Sequence, residues 1–157
     1  MLYLFDLDRT LITCYMDSLN RNYHEWSLLP GRVATLARLY LCGHALGIVT
    51  NQAGVAFGHV TERDWERKIA EVCVPLRIDR AAVYVCFADV RSPDPRYNSH
   101  VAAMRRKPSR AMIQEAVCDY PEQAALGVLY VGDRDVDQQT AHNAGVPFQW
   151  THIFFKD

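Results

Sequence analysis

Four short, largely apolar runs recur along this chain, at residues 2–7, 45–50, 82–87 and 128–132. None shows the strict alternation of apolar and polar residues that a strand with one wet face would carry. Runs of this kind and length suit strands covered on both sides. Helical patterns lie between them. Val33, Leu36, Ala37 and Tyr40 repeat at helical spacing after Pro30 and Gly31. Trp65, Ile69, Val72 and Cys73 do the same behind Thr61, an N-cap with Asp64 three residues on. Met112, Ile113, Ala116 and Val117 follow Pro108 and Ser109, and Gly145 closes a last short helix that begins near Asp137. Strand and helix alternate, which predicts an α/β fold: a central parallel sheet with helices on both faces, in three layers.

The 157 residues suffice for one domain, and no repeat or low-complexity linker divides residues 1–157. The segments 12–29 and 89–105 are too short for a separate cap domain. A net charge of -1 argues against a general nucleic-acid coat or a membrane surface. No apolar run nears the roughly 20 residues of a spanning helix, and the amino terminus lacks a basic, cleavable leader. A cytoplasmic chain is expected, with no membrane partner. Cys14, Cys42, Cys73, Cys86 and Cys118 are odd in number and scattered, so reduced thiols are expected rather than a disulfide framework.

In parallel sheets ligands bind beyond the carboxyl ends of the strands. The first run ends in Asp6 and Asp8, with Thr10 beyond; the second ends in Thr50 and Asn51; the last ends in Asp133, Asp135 and Asp137. Arg106 and Lys107 stand just before Pro108 and its helix. All of these converge on one edge of the sheet. Two carboxylates about 5 Å apart repel by roughly 3 kcal/mol at an effective dielectric near 20. Such a cluster must shift its pKa values or take up a cation. An all-oxygen ligand set without nearby His or Cys favours Mg²⁺ over zinc. A cation held by aspartates beside a lysine and a threonine is a site for a phosphate group.

DxDxT from Asp6 to Thr10, Thr50, Lys107 and GDxxxD from Gly132 to Asp137 together resemble the four motifs of the haloacid dehalogenase superfamily of phosphatases. "LLPGRVATLARL", "TNQAGVAFG", "VYVC", "RRKPS" and "VGDRDVDQQTAHNAGV" are similar to one branch, the heptose bisphosphate and histidinol phosphate phosphatases and the polynucleotide 3'-phosphatases. The resemblance implies a Rossmann-like fold and an aspartyl-phosphate intermediate. In it Asp6 is the nucleophile, and Asp8 protonates the leaving oxygen and then activates water. Asp6, the backbone carbonyl of Asp8 and Asp133 would bind Mg²⁺. Asp137 would either join them through water or hold Lys107. Thr50 and Lys107 would grip the phosphoryl group, Asn51 and Arg106 would touch the substrate, and Thr10 would support the loop. The substrate implied is a small phosphorylated metabolite, with a polynucleotide 3'-end as the alternative; nucleic acid enters only as substrate. A phosphoacceptor signalling domain and a non-catalytic phosphate-binding module are the rivals from other classes. The first gives Asp8 no role, and the second would bind phosphate without releasing it repeatedly.

Two positions depart from the pattern. Arg9 stands where glycine is usual, in a turn that prefers φ > 0, and either alters the loop, contacts the substrate or is a solvated arginine. Of the zinc ligands that pin a substrate loop in the heptose phosphatases, only Cys86 remains. Ala88, Ala103 and Arg105 occupy the other places, so no zinc is expected and substrate identity does not carry over. Plainer roles stand beside these. Asp135 is the aspartate expected to do no more than cap its helix, Asn51 could serve only the turn after the second run, and Phe148, Trp150, Ile153 and Phe154 read as core cover on a terminal edge element that includes His152. Residues 91–110 hold six basic side chains against one acid, Asp94, a local charge of +5. This segment either is a solvated loop or grips further phosphates beside the mouth.

Overall fold

A computed structural model describes all residues from Met1 to Asp157. Its centre is a five-stranded sheet in the order β3-β2-β1-β4-β5, with every pairing parallel. The strands are β1 (Leu2–Phe5), β2 (Ala45–Asn51), β3 (Val83–Cys86), β4 (Val128–Gly132) and β5 (Phe148–Trp150). Four match the apolar runs. The fifth is the terminal edge element, three half-buried residues too few to register as a strand in sequence. His152 lies just past it, in a short helix.

Seven helices cover the sheet: α1 (Arg32–Leu41), α2 (Glu62–Leu76), α3 (His100–Ala103), α4 (Ala111–Asp119), α5 (Pro121–Ala125), α6 (Asp135–Ala144) and α7 (Thr151–Phe155). Because successive side chains of β1 point to opposite faces, one core forms on each side. Phe5, Ile48 and Val131 pack with Leu36 of α1 and Trp65, Ile69 and Val72 of α2, and α7 adds Phe154 and Phe155. On the other face Leu2, Leu4, Val49 and Tyr130 meet Met112, Ile113 and Ala116 of α4 and Ala141 of α6. Each of the larger aliphatic side chains and phenylalanines among them contributes about 1.5–3 kcal/mol by leaving water. No helix is long and apolar enough to cross a membrane.

Thr61 caps α2 as expected, accepting from the Asp64 N–H at 3.1 Å. The buried face of α1 is different from the one the sequence suggests. Val33 and Tyr40 are exposed, and Arg32 lies inside with Leu36. A guanidinium is tolerated there because its donors are satisfied: it bonds the Thr10 carbonyl at 2.9 Å and both oxygens of Asp157 at 2.6 Å, and stacks 4.1 Å from the Phe155 ring. Helix α6 begins at Asp135, earlier than expected, and ends at Gly145 in the left-handed conformation. The N–H of Arg134, just before its first residue, donates to the Asp137 carboxylate at 3.1 Å, whereas Asp135 is exposed. The capping assignment therefore moves from Asp135 to Asp137.

The chain winds outward through β2 and β3, then crosses back to β4 and β5 on the other side of β1. The reversal falls between β1 and β4, where a crevice opens beyond the carboxyl ends. Asp6 and Asp133 emerge at that point.

Candidate active site

Asp6 prolongs β1, its N–H bonded to the Val131 carbonyl at 2.9 Å. One carboxylate oxygen accepts from Lys107 Nζ at 2.7 Å. The same ammonium donates to Asp137 Oδ1 at 2.6 Å, and its remaining hydrogen is shared between the Tyr130 hydroxyl at 3.2 Å and the Val49 carbonyl at 3.3 Å. All of these groups are buried. Asp137 thus contacts Lys107 through one oxygen, while its second oxygen accepts from the Arg134 N–H at the start of α6. Asp137 comes this close only because residue 132 is glycine. A Cβ there would lie 2.5 Å from the Asp137 Cβ and 2.6 Å from its carboxylate. Gly132→Ala should therefore lower stability by about 1–3 kcal/mol and pull Asp137 off Lys107. Thermal melting checks the first effect and loss of turnover the second; a variant with unchanged melting and rate would show that the contact is not required.

Asp133, half-buried beside this group, accepts from the fully buried Thr10 hydroxyl at 3.5 Å, and Thr10 in turn meets the Thr151 hydroxyl at 3.0 Å. Asp6, Asp133 and Asp137 each present an oxygen within 4.8 Å of the others. Burial, aided by the charges of Asp137 and Asp8, pushes the Asp6 carboxyl up to about 7 against the pull of Lys107. Burial and the Asp137 charge raise Asp133 as well. Lys107 moves the opposite way to what its burial alone would do: two carboxylates outweigh desolvation and hold it charged. One ammonium shared between two acids leaves the cluster net negative, and the charge of Asp137 adds to burial in raising Asp6, while the same carboxylates raise Lys107. An all-oxygen cluster short of positive charge fits a hard divalent cation.

Next to the cluster is a hollow of about 290 Å³, lined by Asp6, Asp8, Thr50, Asn51, Arg106 and Lys107 among others. A larger one, about 520 Å³, lies by the amino end of β2 against Tyr40, His44 and Tyr120, away from the acids. In the smaller hollow Asp8 accepts from the Gln52 amide at 2.8 Å, and its other oxygen is buried without a partner. Gln52 also donates to Thr50 Oγ1 at 2.9 Å, which leaves the Thr50 hydroxyl hydrogen to donate elsewhere. Asn51 faces the hollow, but both ends of its carboxamide engage the Lys107 backbone, at 2.9 and 3.3 Å. Arg106 presents a buried, unpartnered Nη1. Gln52 and Tyr130 are the site residues that motif reading passes over. A tyrosine inside a central strand does call for a partner for its hydroxyl, and that was the available signal.

Arg9 takes the left-handed conformation, φ 60, despite its side chain. Its guanidinium closes on Asp17 at 2.6 and 2.7 Å. The basic segment is also largely paired: Arg91 with Asp89, Arg96 with Asp94, and Arg105 with Glu115, at 2.7 to 2.8 Å. Arg91 thereby holds Asp89 well below the usual carboxylate range. Arg105 also donates to the Val85 carbonyl at 2.9 Å, so it ties the loop before Lys107 to β3. Cys86 Sγ approaches the carbonyls of Ala88 and Ala102, both at 3.8 Å.

A family model described as polynucleotide kinase 3 phosphatase matches residues 1–155. The chain belongs to this family. With it the chain joins the haloacid dehalogenase phosphatases, as the four motifs imply. A protein of Thermoplasma acidophilum described as "probable D-glycero-D-manno-heptose-1,7-bisphosphate 7-phosphatase" is 30% identical, covering 95% of this chain and 94% of its own. The D-glycero-D-manno-heptose-1,7-bisphosphate 7-phosphatase of Chlorobaculum tepidum is 29% identical over 78% of this chain, which spans 64% of that relative's length. Among solved structures, the D,D-heptose 1,7-bisphosphate phosphatase of B. bronchiseptica, complexed with magnesium and phosphate, aligns with a TM-score of 0.69 and 27% identity. That alignment covers 94% of this chain and 78% of the other. The match to the family model spans all five strands and all four motif positions of this chain.

Proposed function

We propose that this chain is a Mg²⁺-dependent phosphatase that hydrolyses a phosphomonoester of a small soluble metabolite, a sugar phosphate or similar. Residues 1–157 act as one catalytic domain with an open mouth. The observation that carries this reading is the pair Asp6 and Asp8: one buried carboxylate held by an ammonium, and a second with an unpartnered oxygen, both facing one hollow. The oxygen of Asp6 that Lys107 does not hold attacks phosphorus, and the bond to the leaving oxygen breaks. Asp8, carrying a proton on its free oxygen, gives it to that leaving group. Asp8 then takes a proton from water, which attacks the aspartyl-phosphate and frees phosphate and Asp6. Lys107 and the Thr50 hydroxyl hold the phosphoryl oxygens, and Asn51 fixes the Lys107 backbone. Arg106 Nη1 is left for the rest of the substrate. Asp6, Asp133 and the Asp8 carbonyl would hold the Mg²⁺, which neutralises charge on the phosphoryl group when bound.

The sugar-phosphate reading draws on the names of the relatives and on the pairing of Arg91 and Arg96, which leaves less free positive charge than the sequence count implies. The family description favours a second reading, a polynucleotide 3'-phosphatase. Phosphate release from sugar phosphates and from 3'-phosphorylated oligonucleotides at low and high salt separates the two. Each single-strand phosphate contact adds about 0.7 to the salt slope of affinity, so a polynucleotide substrate loses affinity steeply with salt and a sugar phosphate does not. In the same assay, chelator should abolish turnover, Mg²⁺ restore it, and Ca²⁺ inhibit by engaging more carboxylate oxygens. Mg²⁺ should also raise the melting temperature. Full activity in chelator would refute the metal assignment, and repeated turnover of neither substrate class would favour a binding module.

A further inference from the structure

One buried lysine has no part in the reaction so far. Lys68 lies on the inner side of α2 with 4% exposure. Asp64 and Glu71 stand at the helical spacings where a lysine ordinarily meets an acid. The ammonium turns instead to two aromatic rings, 4.3 Å from the centroid of Tyr23 and 5.5 Å from that of Tyr15. Those rings pack edge-to-face at 5.2 Å. Both are buried, and the Tyr23 hydroxyl has no partner. A cation over a ring is held strongly when both are out of water. Burial lowers the Lys68 ammonium from its usual range, and the charge of Asp8 is the main influence opposing it.

Both tyrosines belong to an excursion, residues 14–26, that leaves the loop after β1. Its base is closed by Thr13 N–H on the Ser27 carbonyl at 2.9 Å and Leu29 N–H on the Leu11 carbonyl at 3.0 Å. Near this base, the Tyr15 hydroxyl overlies Gly54, where a Cβ would lie 2.8 Å from it. Gly54 is two residues beyond Gln52, whose amide holds Asp8 at 2.8 Å. Cys14 and Ala53, the neighbours of Tyr15 and Gly54, line the hollow. The lysine, the excursion and the loop after β2 therefore form one chain of contacts that ends at Asp8.

We infer that Lys68 is a positioning residue for the proton step: caged by Tyr15 and Tyr23, it pins the 14–26 excursion against the Gly54 loop and so fixes Gln52 on Asp8. This rests on the reading of Asp8 as the acid. A leaving group that departs as a stable anion needs little proton donation, whereas an alkyl alcohol needs it fully. The test compares kcat/KM for nitrophenyl phosphate and for an alkyl phosphate in Lys68→Met, which keeps the length of the stem, with Asp8→Asn as reference. That ratio reports only the steps up to departure of the leaving group and not the later water step that Asp8 also serves. Lys68→Met should lower kcat/KM for the alkyl ester roughly tenfold through misplacement of the acid, with kcat/KM for the aryl ester changed less than about twofold. Lys68→Arg should restore the alkyl rate, because a guanidinium also binds aromatic faces. Tyr23→Leu, which removes the ring and leaves the lysine, should reproduce the selective loss and covers the case of a Lys68→Met that does not fold. Equal losses on both esters would mean that Lys68 is only structural, and would overturn the inference. If Asp8→Asn discriminates between the esters and the Lys68 and Tyr23 variants do not, the inference falls while the acid stands. If Asp8→Asn does not discriminate either, the acid assignment fails and takes the inference with it.

Discussion

Asp6→Asn should reduce turnover to below about a thousandth of the wild-type rate, since loss of a nucleophile that forms the covalent intermediate leaves no equivalent path. An amide oxygen is a poor nucleophile and a weaker cation ligand. The fold should survive, and without metal it should gain stability at neutral pH. Burial lifts the Asp6 carboxyl from 3.8 to about 7 in the folded chain. The folded state therefore favours the protonated acid. Its stabilising effect is fully present below about pH 4 and is lost as the pH rises toward 7. Metal-free wild type should thus melt progressively lower than Asp6→Asn across that window, and the two should converge in acid. Mg²⁺ should raise the wild-type melting temperature more than that of the variant. Phosphate release and melting curves at several pH values measure all of this. A variant that keeps a tenth of the wild-type rate would mean that another residue attacks phosphorus.

Lys107→Met should be the most destabilising single change in the site. The ammonium balances Asp6 and Asp137 at 2.7 and 2.6 Å in a fully buried setting. Removing one partner of a buried ionic group costs about 3–5 kcal/mol, because the charge left behind has neither water nor counter-charge. That is a large part of the roughly 5–15 kcal/mol that holds a domain folded. Denaturant titration should show the loss at neutral pH and a smaller one in acid, where the carboxyls can protonate. Adding Asp137→Asn to Lys107→Met should recover part of it, since one orphaned charge then disappears. A loss below about 1 kcal/mol would contradict the account of Lys107 as the balancing charge, the value expected for a merely exposed pair.

Much of this arrangement is legible in the sequence, for reasons that explain what is not. Strands covered on both faces leave continuous apolar runs, and the acids, threonine and lysine fall just past them, where a parallel sheet opens. The buried side of α1 escapes that logic. Arg32 enters the core only because the Thr10 carbonyl and Asp157, far apart in the chain, meet its donors. Gln52 and Tyr130 escape it too, since one is an ordinary loop amide and the other an ordinary strand aromatic until folding sets them on Asp8 and Lys107. The basic segment misleads in the other direction. Arg91 and Arg96 close on acids two residues before them, and Asp89 lies just outside the stretch that was counted. A linear charge count does not see such local rings.

The position of Lys107 bears on how a lineage carrying this chain could drift. Its ammonium joins groups from β1, β2, β4 and α6 at one point. On the proposed reaction, catalytic and mechanical centres therefore coincide, and the order in which substitutions arrive matters. A descendant that first loses an acid becomes inert yet stays folded, and can then shed the lysine. One that first loses the lysine is selected against for instability before its chemistry is ever tested. Inactive descendants of such a sheet should accordingly keep the lysine longer than the aspartate that attacks.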